Sequence, residues 1–374
     1  MKQGWEIKKL GEICALIADG DWIESRHQSE DGIRLIQTGN IGNGVFKAKD
    51  DKPHYISEST FAELGCTEIF AGDCLVSRLP DPVGRACIIP ETNCRMITAV
   101  DCSIIRFNSD IVSKFFIYYT QCEKYKRDID NNTTGTTRKR ISRKNLETIC
   151  IPIPPREEQE RIVAELDCLS GVIEKKREQL KELDELAQSI FHQMFGNPIT
   201  NEKGWEVIPL KQAALLKAGK AIKANELSED SDLGLYPCYG GNGIRGYINK
   251  KSHNGQFPII GRQGALCGNV VFAQGEFYAT EHAVVCNNII ESFNPLWLYY
   301  ALKYNNLNRY AQGVAQPGIS VNIINEMPLI YPPLILQQEI ADKIEAIEKQ
   351  KELIKESIKE TETLFNARMD YYFN

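Results

Sequence analysis

Two stretches of this chain carry apolar residues at alternating steps of four and three. In the first, Ile162, Leu166, Leu169, Ile173, Lys176, Leu180, Leu183, Ala187, Ile190 and Met194 follow one another at the heptad spacing of a helix that pairs with another helix. In the second, Ile340, Ile344, Ile347, Lys351, Ile354, Ile358, Thr361 and Phe365 keep the same steps, with two polar interruptions. Each stretch begins after a Pro-Pro, Pro154-Pro155 or Pro332-Pro333. Proline suits the first turn of a helix, where its missing N–H is not needed. Gly196-Asn197-Pro198 then ends the first helix. A helix with one apolar stripe is stable in water only when that stripe is buried, so the two are expected to pair with each other. The alternative is that each packs flat on its own lobe. At about 1.5 Å per residue, a helix of about forty residues spans roughly 60 Å.

Elsewhere the pattern shortens to β-like runs. Before the first seam these are Ile33–Ile36, Cys74–Ser77, Ala86–Ile89 and Ser103–Phe107; before the second they are Phe257–Ile260, Asn269–Phe272 and Ala283–Cys286. One helix is expected near residues 113–127 and another near 295–310, each followed by a short helix starting near Ser142 or Ser320. Four segments result: lobes over 1–155 and 197–333, and helices over 156–196 and 334–374.

The two lobes repeat each other. Gly4-Trp5-Glu6-Ile7 returns as Gly204-Trp205-Glu206-Val207, and Ile151 to Pro155 returns as Leu329 to Pro333. Gly39-Asn40 answers to Gly241-Asn242, Arg78 with Gly84 to Arg262 with Gly268, and Ile117-Tyr118-Tyr119 to Leu298-Tyr299-Tyr300. The offsets fall steadily along the chain, as loop deletions in the second copy would leave them. The fold class expected is therefore α+β: two repeated mixed α/β domains joined by two long antiparallel coiled-coil helices, with pseudo-two-fold symmetry. That symmetry suits a two-fold target such as duplex DNA.

Net charge is −6, which at first argues against a nucleic-acid partner. The acidity, however, lies in the helical segments. Residues 156–195 carry −4 and 334–374 carry −3, whereas 1–155 balance at 21 cations and 21 anions. A local basic face on the lobes remains open. The twelve cysteines form no C-x-x-C pair, so they read as reduced thiols and not as zinc ligands. No apolar run approaches the roughly 18 residues of a membrane span, and the N-terminal residues lack a signal segment, so a cytoplasmic protein without membrane contact is expected.

The chemistry of a self-contained enzyme is missing from the sequence. Gly241-Asn242-Gly243-Ile244-Arg245-Gly246 spells a dinucleotide-binding fingerprint, but no helix pattern follows it, and a turn is the better reading. There is no P-loop and no Asn-Pro-Pro-Tyr or Asp-Pro-Pro-Tyr tetrapeptide. Glu281-His282 stands without a nucleophile or metal partner and reads as structural. What remains is a cluster of cations, Arg138, Lys139, Arg140, Arg143 and Lys144, preceded by a polar run that contains Thr136. Such residues neutralise phosphates and reach base edges. The candidate DNA-binding set comprises these residues, Lys144 excepted, with Thr38, Asn40 and Arg78 in the first lobe. In the second it comprises Asn242, Arg245, Arg262, Gln263 and Gln316. A buried ion pair in each core would explain Arg78 and Arg262 about as well.

The lobe starts at Gly4 and Gly204, the Ile151 to Ile162 motif with Pro-Pro-x-x-Glu-Gln, and Ile190-Phe191 with Met194-Phe195-Gly196 together resemble the specificity subunit of type I restriction–modification systems. The resemblance covers the whole chain. It implies two target recognition domains, each reading half of a bipartite asymmetric DNA site, with the helices as spacer. It further implies two modification subunits carrying S-adenosylmethionine and the adenine methyltransferase site, and restriction subunits using ATP and Mg, so that no cofactor is expected on this chain. Glu158, Gln159 and Gln337 are the corresponding candidates for partner docking. The second copy departs from the motif, because Leu336 stands where Glu158 stands in the first. The alternatives are a self-contained DNA methyltransferase or nuclease with an atypical site, and a scaffold that does not touch DNA.

Overall fold

The computed structural model describes residues 4–135, 138–229, 231, 234–313 and 317–374. The chain forms two compact units, Met1–Lys176 with Ser357–Asn374, and Arg177–Glu356. The boundaries fall inside the two long helices, Arg156–Phe195 and Leu334–Phe373, so each unit contains part of both.

In the first unit, Glu6–Lys9 pairs antiparallel with Cys150–Ile153 and fastens the ends of the lobe together. The central sheet runs in the order Cys14–Asp19, Cys102–Phe107, Cys74–Ser77, Ala86–Ile88. Successive side chains of a strand face opposite ways. Cys74 and Val76 therefore face the helices, whereas Leu75 faces a second, five-stranded sheet with Ile36, Ile69 and Met96.

The second unit repeats the fastening with Val207–Pro209 and Pro328–Ile330. Its other described strands form a six-stranded sheet dominated by the long hairpin of His253–Gly261 and Val270–Ala279. Here Ile260 faces the helices, and Ile259 the opposite cluster with Phe277.

Backbone hydrogen bonds show which residues are equivalent. Leu10 N donates to Ile149 O as Leu210 N does to Met327 O, and Gly20 N donates to Cys102 O as Gly219 N does to Ala283 O. Arg78 N donates to Asp101 O as Arg262 N does to His282 O, and Ile141 N donates to Arg78 O as Ile319 N does to Arg262 O. The strand-end glycines are sterically required. A Cβ on Gly20 would lie 2.3 Å from Ala99 O, and one on Gly219 2.0 Å from Ala279 O. Ser142 and Ser320 cap equivalent short helices, each accepting from the N–H three residues on.

The helices differ from the sequence expectation in both lobes, and the stretch 295–310 is an α-helix only over Pro295–Tyr304, followed by a separate 3-10 turn at Leu307–Tyr310. Residues 113–127 are not one helix but two, Ser113–Tyr119 and Glu123–Asn131. The Thr120 hydroxyl turns back to Ile117 O, and Cys122 Sγ accepts from Tyr125 N to start the second helix. The glycine-rich segments also diverge. Gly241-Asn242 is a tight hairpin turn, whereas Thr38–Asn40 is a single 3-10 turn.

The seams both pair and pack. In the first unit Ile162 and Leu166 meet Met369, Tyr372 and Phe373 within the lobe core, and Glu165 is paired to Arg368. In the second, Ala187, Phe191 and Phe195 join Ile340, Ile344 and Ile347 in the other core. Both expected alternatives hold at once. The polar seam residues are partnered across the pair: Lys176 Nζ donates to Ser357 Oγ at 2.5 Å, and Lys351 Nζ lies 2.8 Å from Asp184 Oδ1. A polar pair at a partly buried seam position penalises slipped alignments and so favours one register.

Two residues expected to dock partners prove to be internal. Gln159 is 1% exposed: its Nε2 donates to Asp110 O and Pro154 O, and its Oε1 accepts from Val112 N. Gln337 is fully buried and makes the same three bonds, to Ser292 O, Pro332 O and Asn294 N. Each glutamine fastens the first turn of its helix to the loop that precedes a lobe helix. Burial with every amide group satisfied makes these glutamines structural and not docking residues. Glu158 sits on the helix surface beside Arg161, with N···O at 2.7 Å. Replacing Gln159 by alanine strands three backbone groups, one in a buried bond and two in part-buried ones, so we expect it to lower stability by about 2 kcal/mol. Urea unfolding measures this, and faster amide exchange at Val112 locates it.

Candidate nucleic-acid interface

The loop cations of the first unit are carried by a short hairpin, Thr133–Thr134 against Arg140–Ile141, and by the helix Arg143–Glu147. Because Ile141 N donates to Arg78 O, this hairpin hangs from the end of the central strand Cys74–Ser77. Arg138 and Lys139 are exposed and make no hydrogen bond or ion pair among the described residues. Among the described residues Arg143 makes only a loose pair, with Glu147 on its own helix, at 3.4 Å. These side chains are held near one another with their charges available to solvent, as phosphate contacts require. Thr136 of the same loop, and Gln316 of the second lobe, lie outside the described residues.

Beneath the hairpin, four charges balance. Arg78 Nη1 lies 2.8 Å from Asp19 Oδ1, its Nη2 donates to Val100 O at 2.5 Å, and Arg140 Nη2 lies 3.2 Å from Asp101 Oδ1. Arg78 is only 4% exposed. Its place is therefore internal, and the buried ion pair is the account that applies to it. Asn40 is corrected in the same way. Its Nδ2 donates to Lys47 O and Ala48 O while its Oδ1 accepts from Gln37 N, leaving no group to read a base. Thr38 is half-buried, and its carbonyl accepts from Arg85.

In the second unit the candidates gather where three backbone segments meet. A Cβ on Gly241 would touch His282 O at 3.0 Å and the Gly261 Cα at 3.4 Å, so the hairpin turn, the end of His253–Gly261 and the segment Thr280–His282 are in contact. Asn242 is exposed on the turn and accepts from Asn269 Nδ2 at 2.6 Å. Arg245 packs over Gly240 and is exposed, without a hydrogen bond or ion pair among the described residues. Gln263 is exposed and bridges to Gly318. Arg262 is half-buried beside them. Among the described residues no group of three His, Cys, Asp or Glu side chains could hold a metal, and no helix is long and apolar enough to cross a membrane.

Comparison with known proteins places this arrangement. Residues 2–185 and 202–363 each match the type I restriction modification DNA specificity domain. The chain belongs to that family. Over 127 residues it is 47% identical to the Escherichia coli type I restriction enzyme EcoprrI specificity subunit, a match covering 34% of this chain and 31% of that protein. The curated relative is thus matched over less than a third of its length. Two solved structures share the fold across nearly the whole chain. The crystal structure of a type I restriction–modification S subunit from M. genitalium superposes with a TM-score of 0.63 at 15% identity, covering 98% of this chain and 95% of that one. A chain from a study of complex assembly and conformational transition of the type I R-M system superposes with a TM-score of 0.59 at 18% identity, covering 100% and 98%.

Within the first specificity domain, Arg85 escaped the sequence reading. It is 9% exposed and donates to Ile41 O, Leu79 O, Pro82 O and Thr38 O, so one guanidinium braces two surface loops. The available signal was a cation set between Gly84 and the apolar Ala86-Cys87-Ile88. Asp19 and Asp101 were also passed over, because nothing in the sequence shows that they meet Arg78 and Arg140. In the second specificity domain a cavity of about 340 Å³ is lined by Lys217, Lys220, Lys251 and His253, and sequence spacing gave no hint of this cluster.

Removing Arg78 leaves Asp19 partly buried without its partner. Because Asp19 is about one-third exposed, Arg78→Ala is expected to cost about 2 kcal/mol, less than the 3–5 of a fully buried pair. Arg140→Ala, at the exposed rim, is expected to cost under about 1 kcal/mol. Chemical denaturation of both variants distinguishes them.

Proposed function

We propose that this chain is the DNA-recognition subunit of a type I restriction–modification complex, reading a bipartite asymmetric duplex site with one lobe per half. The observation that carries the reading is the family match over both repeats, each lobe being one specificity domain. The exposed cations Arg138, Lys139 and Arg143 of the first lobe supply phosphate contacts. Asn242, Arg245 and Gln263 supply the polar groups of the second, at the meeting point of its turns. Lobes that differ in this way suit half-sites of different sequence.

In this reading the chain contributes recognition and no catalysis. Modification subunits bring S-adenosylmethionine and the methyltransferase site, and restriction subunits bring ATP and Mg, within the cytoplasm. The long helices, acidic overall and with Glu158 on their surface, offer docking faces to those partners and act as the spacer between half-sites.

The test is electrostatic. Each phosphate contact contributes close to one unit to the slope of log affinity against log salt. With Arg138, Lys139 and Arg140 all replaced by alanine, the full chain with its modification subunits is expected to bind duplex DNA more weakly and with a slope shallower by about 2. Fluorescence anisotropy over a salt series measures it, and an unchanged slope would return the cluster to a solvated loop.

A further inference from the structure

The repeat provides an internal control for each charged residue. In the first unit Asp19, Arg78, Asp101 and Arg140 form a balanced set of two anions and two cations. The backbone hydrogen bonds identify their equivalents in the second unit as Ala218, Arg262, His282 and Gly318. Both carboxylates are gone, and so is the rim arginine. Only the central arginine is kept, and it makes no hydrogen bond or ion pair through its side chain among the described residues.

A second observation points to the same place. Six buried side-chain polar atoms make no hydrogen bond among the described residues, and four of them are Arg262 Nε, Thr280 Oγ1, Glu281 Oε2 and His282 Nδ1. Thr280 is fully buried. Glu281 uses its other oxygen on His282 Nε2, at 3.2 Å, so one carboxylate oxygen is left over. Buried polar groups are nearly always satisfied, and a cluster of unsatisfied ones marks a place where something else supplies the partners. Arg78 Nε is unpartnered too, but the rest of its guanidinium is engaged.

We propose that Arg262 reads the guanine of a G·C base pair in the half-site of the second lobe, and that Arg78 has no such role in the first. A guanidinium can donate two hydrogen bonds to guanine O6 and N7, and the Nη atoms of Arg262, unlike its buried Nε, are open to that role. The aspartate at position 19 holds Arg78 in the protein, and the alanine at 218 releases Arg262 to the DNA. The assignment rests on the reading of this chain as a DNA-specificity subunit.

Selection of a random-sequence duplex pool on the full chain with its modification subunits, followed by sequencing, tests both levels. Wild type is expected to select a two-part motif. Arg262→Ala is expected to lose the preference for one G·C pair in one half, weakening that motif by roughly ten- to a hundredfold, with the other half unchanged. Ala218→Asp, which restores the missing carboxylate, is expected to do the same without lowering thermal stability, because it captures Arg262. Arg262→Lys keeps the charge but not the fork, and it should not restore the base preference. A wild-type selection without any two-part motif would overturn the DNA reading itself. A two-part motif that these variants leave intact would overturn only this assignment, as would a uniform loss of affinity with unchanged base preference, the mark of a phosphate contact.

Discussion

Two helices of forty residues each expose one apolar stripe, and neither stripe can remain in water. The molecule resolves this by using the stripes twice, once against each other and once as part of a lobe core. Ile162 and Leu166 are fully buried among Phe115, Phe116 and Tyr119, together with Met369 and Phe373 from the end of the other helix. Phe191 and Phe195 do the same beside Trp297, with Ile340 and Ile344. Neither lobe has a complete core without segments of both helices. Gln159 and Gln337 then fix where each helix leaves its lobe, since sliding by one residue would break three hydrogen bonds of a buried side chain at once.

Upon that shared frame the lobes have diverged where it costs the frame least. The sheet fastening, the strand-end glycines and the serine caps are the same in both. The charges around the strand-end arginine are not. In the first unit they neutralise each other beneath an exposed cationic hairpin; in the second, Arg262 is without a side-chain partner among the described residues, beside Glu281 and His282. A duplicated lobe can acquire a new half-site by altering such side chains while its backbone hydrogen bonds stay in place.

The seams were legible because heptad spacing depends on one helix period alone, and the strands because their apolar runs end at glycines and polar residues. The repeat was legible because Gly-Trp-Glu and the Pro-Pro steps sit at the same structural joints in both copies. The site was legible only in part. Arg138 and Lys139 announce themselves as a run of cations, but the sequence leaves Arg78 open between DNA contact and a buried ion pair and offers Asn40 as a contact, and both are held inside the lobe. The fate of an arginine depends on whether an acid from a distant strand reaches it, and Asp19 is fifty-nine positions away. Gln159 misled for the same reason, its partners Asp110 and Val112 lying in a loop that sequence spacing does not connect to it.

The central claim is that each lobe reads its own half of a two-part site. Its most direct test replaces residues 197–333 by a second copy of 1–155, keeps both helices, and maps methylation in cells that supply the modification subunits. The account predicts a new motif in which the half read by the first lobe occurs twice and the other half is absent. Methylation at the original two-part motif would contradict it.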